Sequence, residues 1–290
     1  MKHLLICALL MLFTPLSMAL APYVQGAKLA AAEVGAQLDA VEAKLKAAGF
    51  TTLGRHTPNG IPKSASLVVT DPALQAAVAG IGGSAVVASG LRVGVMADGT
   101  VSYMNPAYWY RAYLRGNYGK AEAAVKTAHA KLVSALGSGE PFGGDVPEAD
   151  LANYRYMFGM ERFDADNSLL ATHDSFEKAL AAVQGNLASK KADTSKIYEV
   201  VHADKKIAVF GVAMNSKDDG EGWWVNKIDG STHPAALPYE LFIVEGKVYS
   251  LYARFRIALA WPALGMGQFM GIINAPEAIR NIMVQIASKP

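Results

Sequence analysis

Apolar residues recur along this chain with two periods, about 3.6 and 2, and the order in which those periods alternate occurs twice. From Ala27 to Ala48 the chain is alanine-rich, with Leu38, Val41 and Leu45 at helical spacing and Gly49 as the stop. Strand-like Phe50 to His56 and Ser66 to Thr70 follow. Asp71-Pro72 then opens a short helix, with Asp as N-cap and Pro in the first turn. Leu91 to Ala97, the turn Asp98-Gly99 and Thr100 to Met104 predict a hairpin, because Asp-Gly supplies the positive φ a tight turn needs. An amphipathic helix from Lys120 to Leu136 closes the half.

The second half repeats the order. Asn153 to Phe163 reads as a strand, and Asp174 or Thr172 caps a helix running to Leu187. Ile197 to His202 and Lys206 to Met214 are strands. Tyr239 to Val244, the turn Glu245-Gly246 and Lys247 to Ala253 form a second hairpin, and Ala275 to Ala287 is the closing helix. Laying one hairpin turn on the other brings Val101 onto Val248 and Val95 onto Phe242. The expected fold class is therefore α+β: two tandem β-α-β4-α modules, each an antiparallel sheet with helices packed on one face. The first strand of copy one is only weakly marked. Between the halves, residues 137–147 hold four glycines and two prolines, which cannot propagate a helix or central strand and read as a linker. The modules are then 22–136 and 148–290.

Val68-Val69-Thr70-Asp71-Pro72-Ala73-Leu74, followed by Arg92-Val93-Gly94-Val95 and Asp98-Gly99, resembles the family catalogued as domain of unknown function 302. Leu237-Pro238-Tyr239 is similar to the lead-in of that family's hairpin strand. The resemblance implies a β-α-β4-α unit of the kind found in TATA-binding protein, in both halves, and it implies no activity. The first half has Ser89-Gly90 where the Leu-Pro would stand. Neither half keeps the cysteine that some relatives carry there, so the resemblance implies no thiol or metal role here.

Composition adds a compartment. Lys2, the uncharged run Leu4 to Phe13, and small residues at Ser17, Ala19 and Ala21 have the order of a secretory signal peptide spanning residues 1–19, cut before Leu20. An uncleaved anchor is the alternative. The expected location is periplasmic or secreted. The single cysteine, Cys7, falls inside this leader, so the remainder can hold no disulfide and relies on apolar burial, for which 52% hydrophobic content suffices. Of 27 Lys and Arg residues one lies in the leader, and the rest all but balance 25 Asp and Glu. That balance gives no long-range pull on phosphate backbones, so nucleic acid is not an expected partner.

Chemistry-bearing residues are sparse. His56, His129, His173, His202 and His233 stand singly, without metal-ligand spacing. Asp164, Asp166 and Ser168 open like a calcium loop, but Leu169 and Ser175 occupy the glycine and glutamate positions. No phosphate loop, nucleophile elbow or dinucleotide fingerprint is present, so no cofactor and no metal is expected. Met266 and Met270, four apart, would share a helix face, either as core filler or as a thioether pair for copper(I). Extending the second hairpin strand puts Tyr252, Arg254 and Arg256 on one face, as a clamp for a ligand anion or as exposed cations paired with Glu240. Ile257 to Ile273 has Gln268 as its only polar side chain and reads as a buried or interface-lining loop.

The expected function is that of an exported, non-catalytic small-ligand-binding or accessory protein for an amphipathic or anionic ligand. Tyr239, Tyr252, Arg254, Arg256, Trp261 and His233 are its candidate contacts. One alternative is an enzyme with His233 as acid–base acting on a small anionic or lipid-like substrate. Another is a membrane or partner-docking protein using Ile257–Ile273.

Overall fold

The computed structural model describes residues 18–289, so most of the leader expected from the sequence, with Cys7, lies outside the described residues. In chain order the first half contains β1 (Ala19–Leu20), β2 (Tyr23–Gln25), α1 (Val34–Ala47), β3 (Thr51–His56), β4 (Ser64–Thr70), α2 (Pro72–Ile81), β5 (Leu91–Met96), β6 (Val101–Met104), α3 (Pro106–Leu114) and α4 (Tyr118–Leu136). The segment 137–147 is no bare linker. Its β7 (Pro141–Phe142) pairs with β2, and its β8 (Val146–Pro147) pairs with β1. The second half holds β9 (Leu169–Thr172), α5 (Phe176–Ala188), β10 (Thr194–His202), β11 (Ile207–Met214), α6 (Glu221–Lys227), β12 (Tyr239–Val244), β13 (Lys247–Tyr249), α7 (Ala253–Ala260), α8 (Met266–Gly271) and α9 (Ala275–Ala287).

The fold is α+β, and its two large sheets are antiparallel, as is the short β1–β8 pair. Sheet one runs β3-β4-β5-β6-β2-β7 and sheet two runs β10-β11-β12-β13-β9, so the same strand order occurs twice. Cross-strand register makes the match residue-specific. Arg92 sits opposite Val68 on β4, and Glu240 sits opposite Gly211 on β11, each at the second position of its hairpin strand. In both modules a helix follows the first strand and another closes the unit.

Local chemistry explains most boundaries. Asp71 caps α2 by accepting from the N–H groups of Ala73 and Leu74, and Pro72 occupies the first turn. Asn105 caps α3 in the same way, ahead of Pro106. Three expectations are corrected. Asn153 to Phe163 is not a strand but 3-10 and turn structure, whose Tyr154 and Tyr156 hydroxyls donate to Ala258 O and Leu264 O. The first strand of module two is β9 instead. The cap of α5 is Ser175, whose hydroxyl accepts from Lys178 N–H, rather than Thr172 or Asp174. The second hairpin strand stops at Tyr249, and the Ala, Arg and Leu residues that follow form α7, as their helix propensity favours.

Each sheet carries helices on one face: α1 against β4 and β5, and α5 against β10, β12 and β13. The other faces meet each other through an exchange. The 3-10 segment Gly83–Ser89 of module one lies on β11 and β12, while Pro234–Ala236 of module two lies on β4, β5 and β6. Alternation along β5 turns Arg92 and Gly94 toward this junction. A side chain at Gly94 would collide with Pro234 and Ala235, so glycine there lets the crossing segment seat. One hydrophobic cluster runs through both halves.

Candidate functional site

A cleft of about 440 Å³ opens where the edge of module one meets two loops of module two. Phe142 comes from β7, Ile228 and His233 from the loop after α6, and Trp261 and Leu264 from the loop after α7. Gly143 and Gly144, both at positive φ, carry the chain past the Trp261 loop. A Cβ at Gly144 would press on Ala263 N, 2.8 Å away, so only glycine allows this wall to close up. The aromatic groups are near-continuous: His233 lies 5.3 Å from Phe142, 5.3 Å from Tyr23 and 6.1 Å from Trp261, centroid to centroid. Trp224 backs Trp261 edge-on at 5.5 Å.

The polar equipment is small. Burial pulls the His233 imidazole down to about 4, so the ring is neutral near pH 7 and offers one donor and one acceptor. Its Nδ1 is 3.0 Å from the Thr232 hydroxyl. Asp229 and Gln268 stand at the rim, and the Gln268 side-chain oxygen accepts from Gly265 N–H. The arrangement suits a flat apolar body against Phe142, Trp261 and Leu264, with one hydrogen-bonding group reaching His233.

Of the six residues proposed from the sequence, the structure brings His233 and Trp261 together here and places the other four elsewhere. Tyr239 is buried and donates to Leu251 O at 2.6 Å. Arg254 and Arg256 sit two apart on a helix rather than on a strand, so they point to different sides. Arg254 pairs with Glu161 and lies over the Tyr252 ring at 5.2 Å. Arg256 is buried against Glu240 and Ala236 O. The clamp formed by these two arginines is therefore corrected: no single anion faces both.

The stretch Ile257 to Ile273 divides into the buried end of α7 and the short helix α8, whose Met266 and Met270 are exposed while Phe269 is buried. Among the described residues no helix is long and apolar enough to cross a membrane, and no group of three His, Cys, Asp or Glu could hold a metal ion. His173 Nε2 lies 2.9 Å from Ala287 O, a structural tie between α9 and the end of β9. His56 Nε2 lies 2.7 Å from Glu221 Oε1, both buried, joining β3 to α6 across the modules. Beside the second hairpin a separate groove of about 650 Å³ has Phe242 and Tyr249 stacked at 5.4 Å as its floor, and none of the six proposed residues lines it.

Sequence reasoning missed Phe142, because residues 137–147 read as linker, and it missed Arg92. The available signal for Arg92 was a lone charge inside the apolar run Leu91 to Met96. Compared with models of known families, with curated proteins and with solved structures, the chain matches none.

Proposed function

We propose that this chain is an exported, non-catalytic small-ligand-binding protein, made of two copies of a unit of the domain of unknown function 302 type. Its ligand is a small amphipathic molecule held in the His233–Trp261 cleft. The observation that carries this reading is the convergence of His233, Trp261 and Phe142, from three separate stretches and both modules, on one aromatic-walled cavity. A binding rather than catalytic role is supported by the surroundings of His233: its ring nitrogen meets a threonine hydroxyl, with no carboxylate to orient it as a general base. Export is supported by the leader-like order of residues 1–19.

The test is native mass spectrometry of protein purified from its host without detergent, set beside the denatured mass. A co-purifying small molecule that Trp261→Ala loses supports the reading. Protein that is empty, and whose tryptophan emission stays unchanged across a library of small amphipathic compounds, overturns it.

A further inference from the structure

Among the described residues the exposed large apolar side chains are Met18, Met157, Phe158, Met266, Met270 and Ile273, with Phe158 at 92%. Five of these six belong to two segments that Tyr156 fastens together. Its ring packs on Phe269 of α8 at 6.0 Å, and its hydroxyl donates to Leu264 O at 2.6 Å. Met157 and Phe158 follow Tyr156 directly. Met266 and Met270 stand one turn apart on α8, and Ile273 N–H donates to Met270 O in the turn that follows. The result is one apolar strip in solvent, and such a strip marks a contact surface.

Two observations indicate what covers it. A cleft of about 520 Å³ adjoins the strip, lined by Arg155, Tyr156, Arg162 and Pro262 together with Asp145 and Asp150. Arg155 also lies over the Phe158 ring at 5.0 Å. The neighbouring carboxylates Glu148 and Glu161 are taken by Arg111 and Arg254, so charges of both signs stand open in this cleft. The second observation is where the chain enters. The apolar run Leu4 to Phe13 leads into the body at Met18, whose carbonyl accepts from Glu148 N–H at 2.8 Å. The next two residues pair with Pro147 and Val146, which line the same cleft. A leader or anchor of that composition partitions into lipid, and it joins the body at this face. The leader's part rests on the export proposed above, whereas the strip and the cleft stand without it.

We propose that this face docks on the surface of a phospholipid bilayer, with Phe158, Met157, Met266 and Met270 entering the boundary between headgroups and acyl chains. The adjoining cleft takes a zwitterionic headgroup, its phosphate on Arg155 and Arg162 and its ammonium on Asp145 and Asp150. Two charges of each sign in the cleft give anionic lipid no advantage. Docking needs no ligand in the His233 cleft, so the two proposals fail separately.

The test is flotation of protein purified without detergent, using vesicles of phosphatidylethanolamine and phosphatidylcholine. The wild type should rise with the vesicles in high salt as in low, because apolar burial drives the contact. Phe158→Asp alters a side chain already in solvent, so the fold survives it, and it should lower vesicle partitioning about tenfold. Arg155→Gln with Arg162→Gln should weaken it by a similar factor. Phe158→Cys in a Cys7→Ser chain, carrying an environment-sensitive dye, reads the same contact whether or not the leader is retained. Its emission should shift to the blue when vesicles are added. An unshifted dye, or equal flotation of wild type and Phe158→Asp, overturns the proposal. So does a dimer that Phe158→Asp abolishes in protein that ignores vesicles, since the strip would then cover a second copy.

Discussion

Arg92 and Glu240 occupy the same position in two copies of one fold, and they bond to each other. Each is the second residue of its module's hairpin strand, and each is held by a helix of its own module, Arg92 on the Trp109 ring of α3 and Glu240 by Arg256 of α7. In a symmetric pair of modules this position would face itself, and like charges there would repel. Opposite charges at equivalent sites remove that conflict, and they fix which half is which.

Glu240→Ala leaves two guanidinium groups buried with no carboxylate between them. The expected cost is about 3–5 kcal/mol, read as a lower midpoint in guanidinium chloride unfolding. The charge swap Arg92→Glu with Glu240→Arg should not restore stability, because Arg256 would then face a second guanidinium. Recovery to wild-type stability in the swap would refute the role given to Arg256.

The His233 ring sits at about 4 when folded and near 6.5 when unfolded, because burial disfavours its charged form. Above pH 6.5 both states are neutral and nothing is lost. As pH falls from 6.5 toward 4 the unfolded chain takes up the proton first, so stability declines, by at most about 1.4 kcal/mol per pH unit. Denaturation midpoints across this window should fall less steeply in His233→Phe than in the wild type. Parallel slopes would show that His233 does not titrate as its burial requires.

Gly144→Ala should injure the cleft without touching a contact residue. The backbone there is at φ 103, and the added methyl group meets Ala263. The substitution should cost about 1–3 kcal/mol, and ligand uptake should drop in native mass spectra. Unaltered uptake would mean that this wall does not shape the site.

Asp71 both caps α2 and receives Lys131 from α4 at 2.6 Å. Burial alone would raise its carboxyl, but Lys131 and the N–H groups of Leu74 and Ala73 more than reverse that, holding it below the usual carboxylate range. Its contribution is therefore present above about pH 4 and fades as acid protonates it. Asp71→Ala should cost about 2 kcal/mol, and Asp71→Asn about half that because the cap survives. Equal losses in the two variants would assign the whole effect to the ion pair.

Much of the architecture was legible because it is local. Asp71-Pro72, Asp98-Gly99 and Glu245-Gly246 announce their structures within a few residues, and the spacing of Leu38, Val41 and Leu45 does the same. The hairpin strand after Lys247 was read too long because Tyr252 to Arg256 alternates as well as a strand does, and only tertiary packing turns it into α7. That one misreading put Arg254 and Arg256 on a common face and suggested the anion clamp. Pro141-Phe142 was opaque for a different reason: a strand this short exists only because β2 offers it an edge. The cleft follows the same rule. His233 and Trp261 each stood out, but the wall they share with Phe142 joins three separate stretches that no local pattern brings together.

The reciprocal seating of Gly83–Ser89 and Pro234–Ala236 bears on how the chain comes into being from its N-terminus. When residues 18–136 have emerged, α1 can cover one side of the first sheet, but on the other side Arg92 has the Trp109 ring and no carboxylate to lie against. It waits for more than a hundred further residues, until Ala235 and Glu240 arrive together. A nascent chain of this length presents a wide apolar surface around a guanidinium that has not met its carboxylate, the kind of surface that favours aggregation. Its last module is thus the first module's missing half.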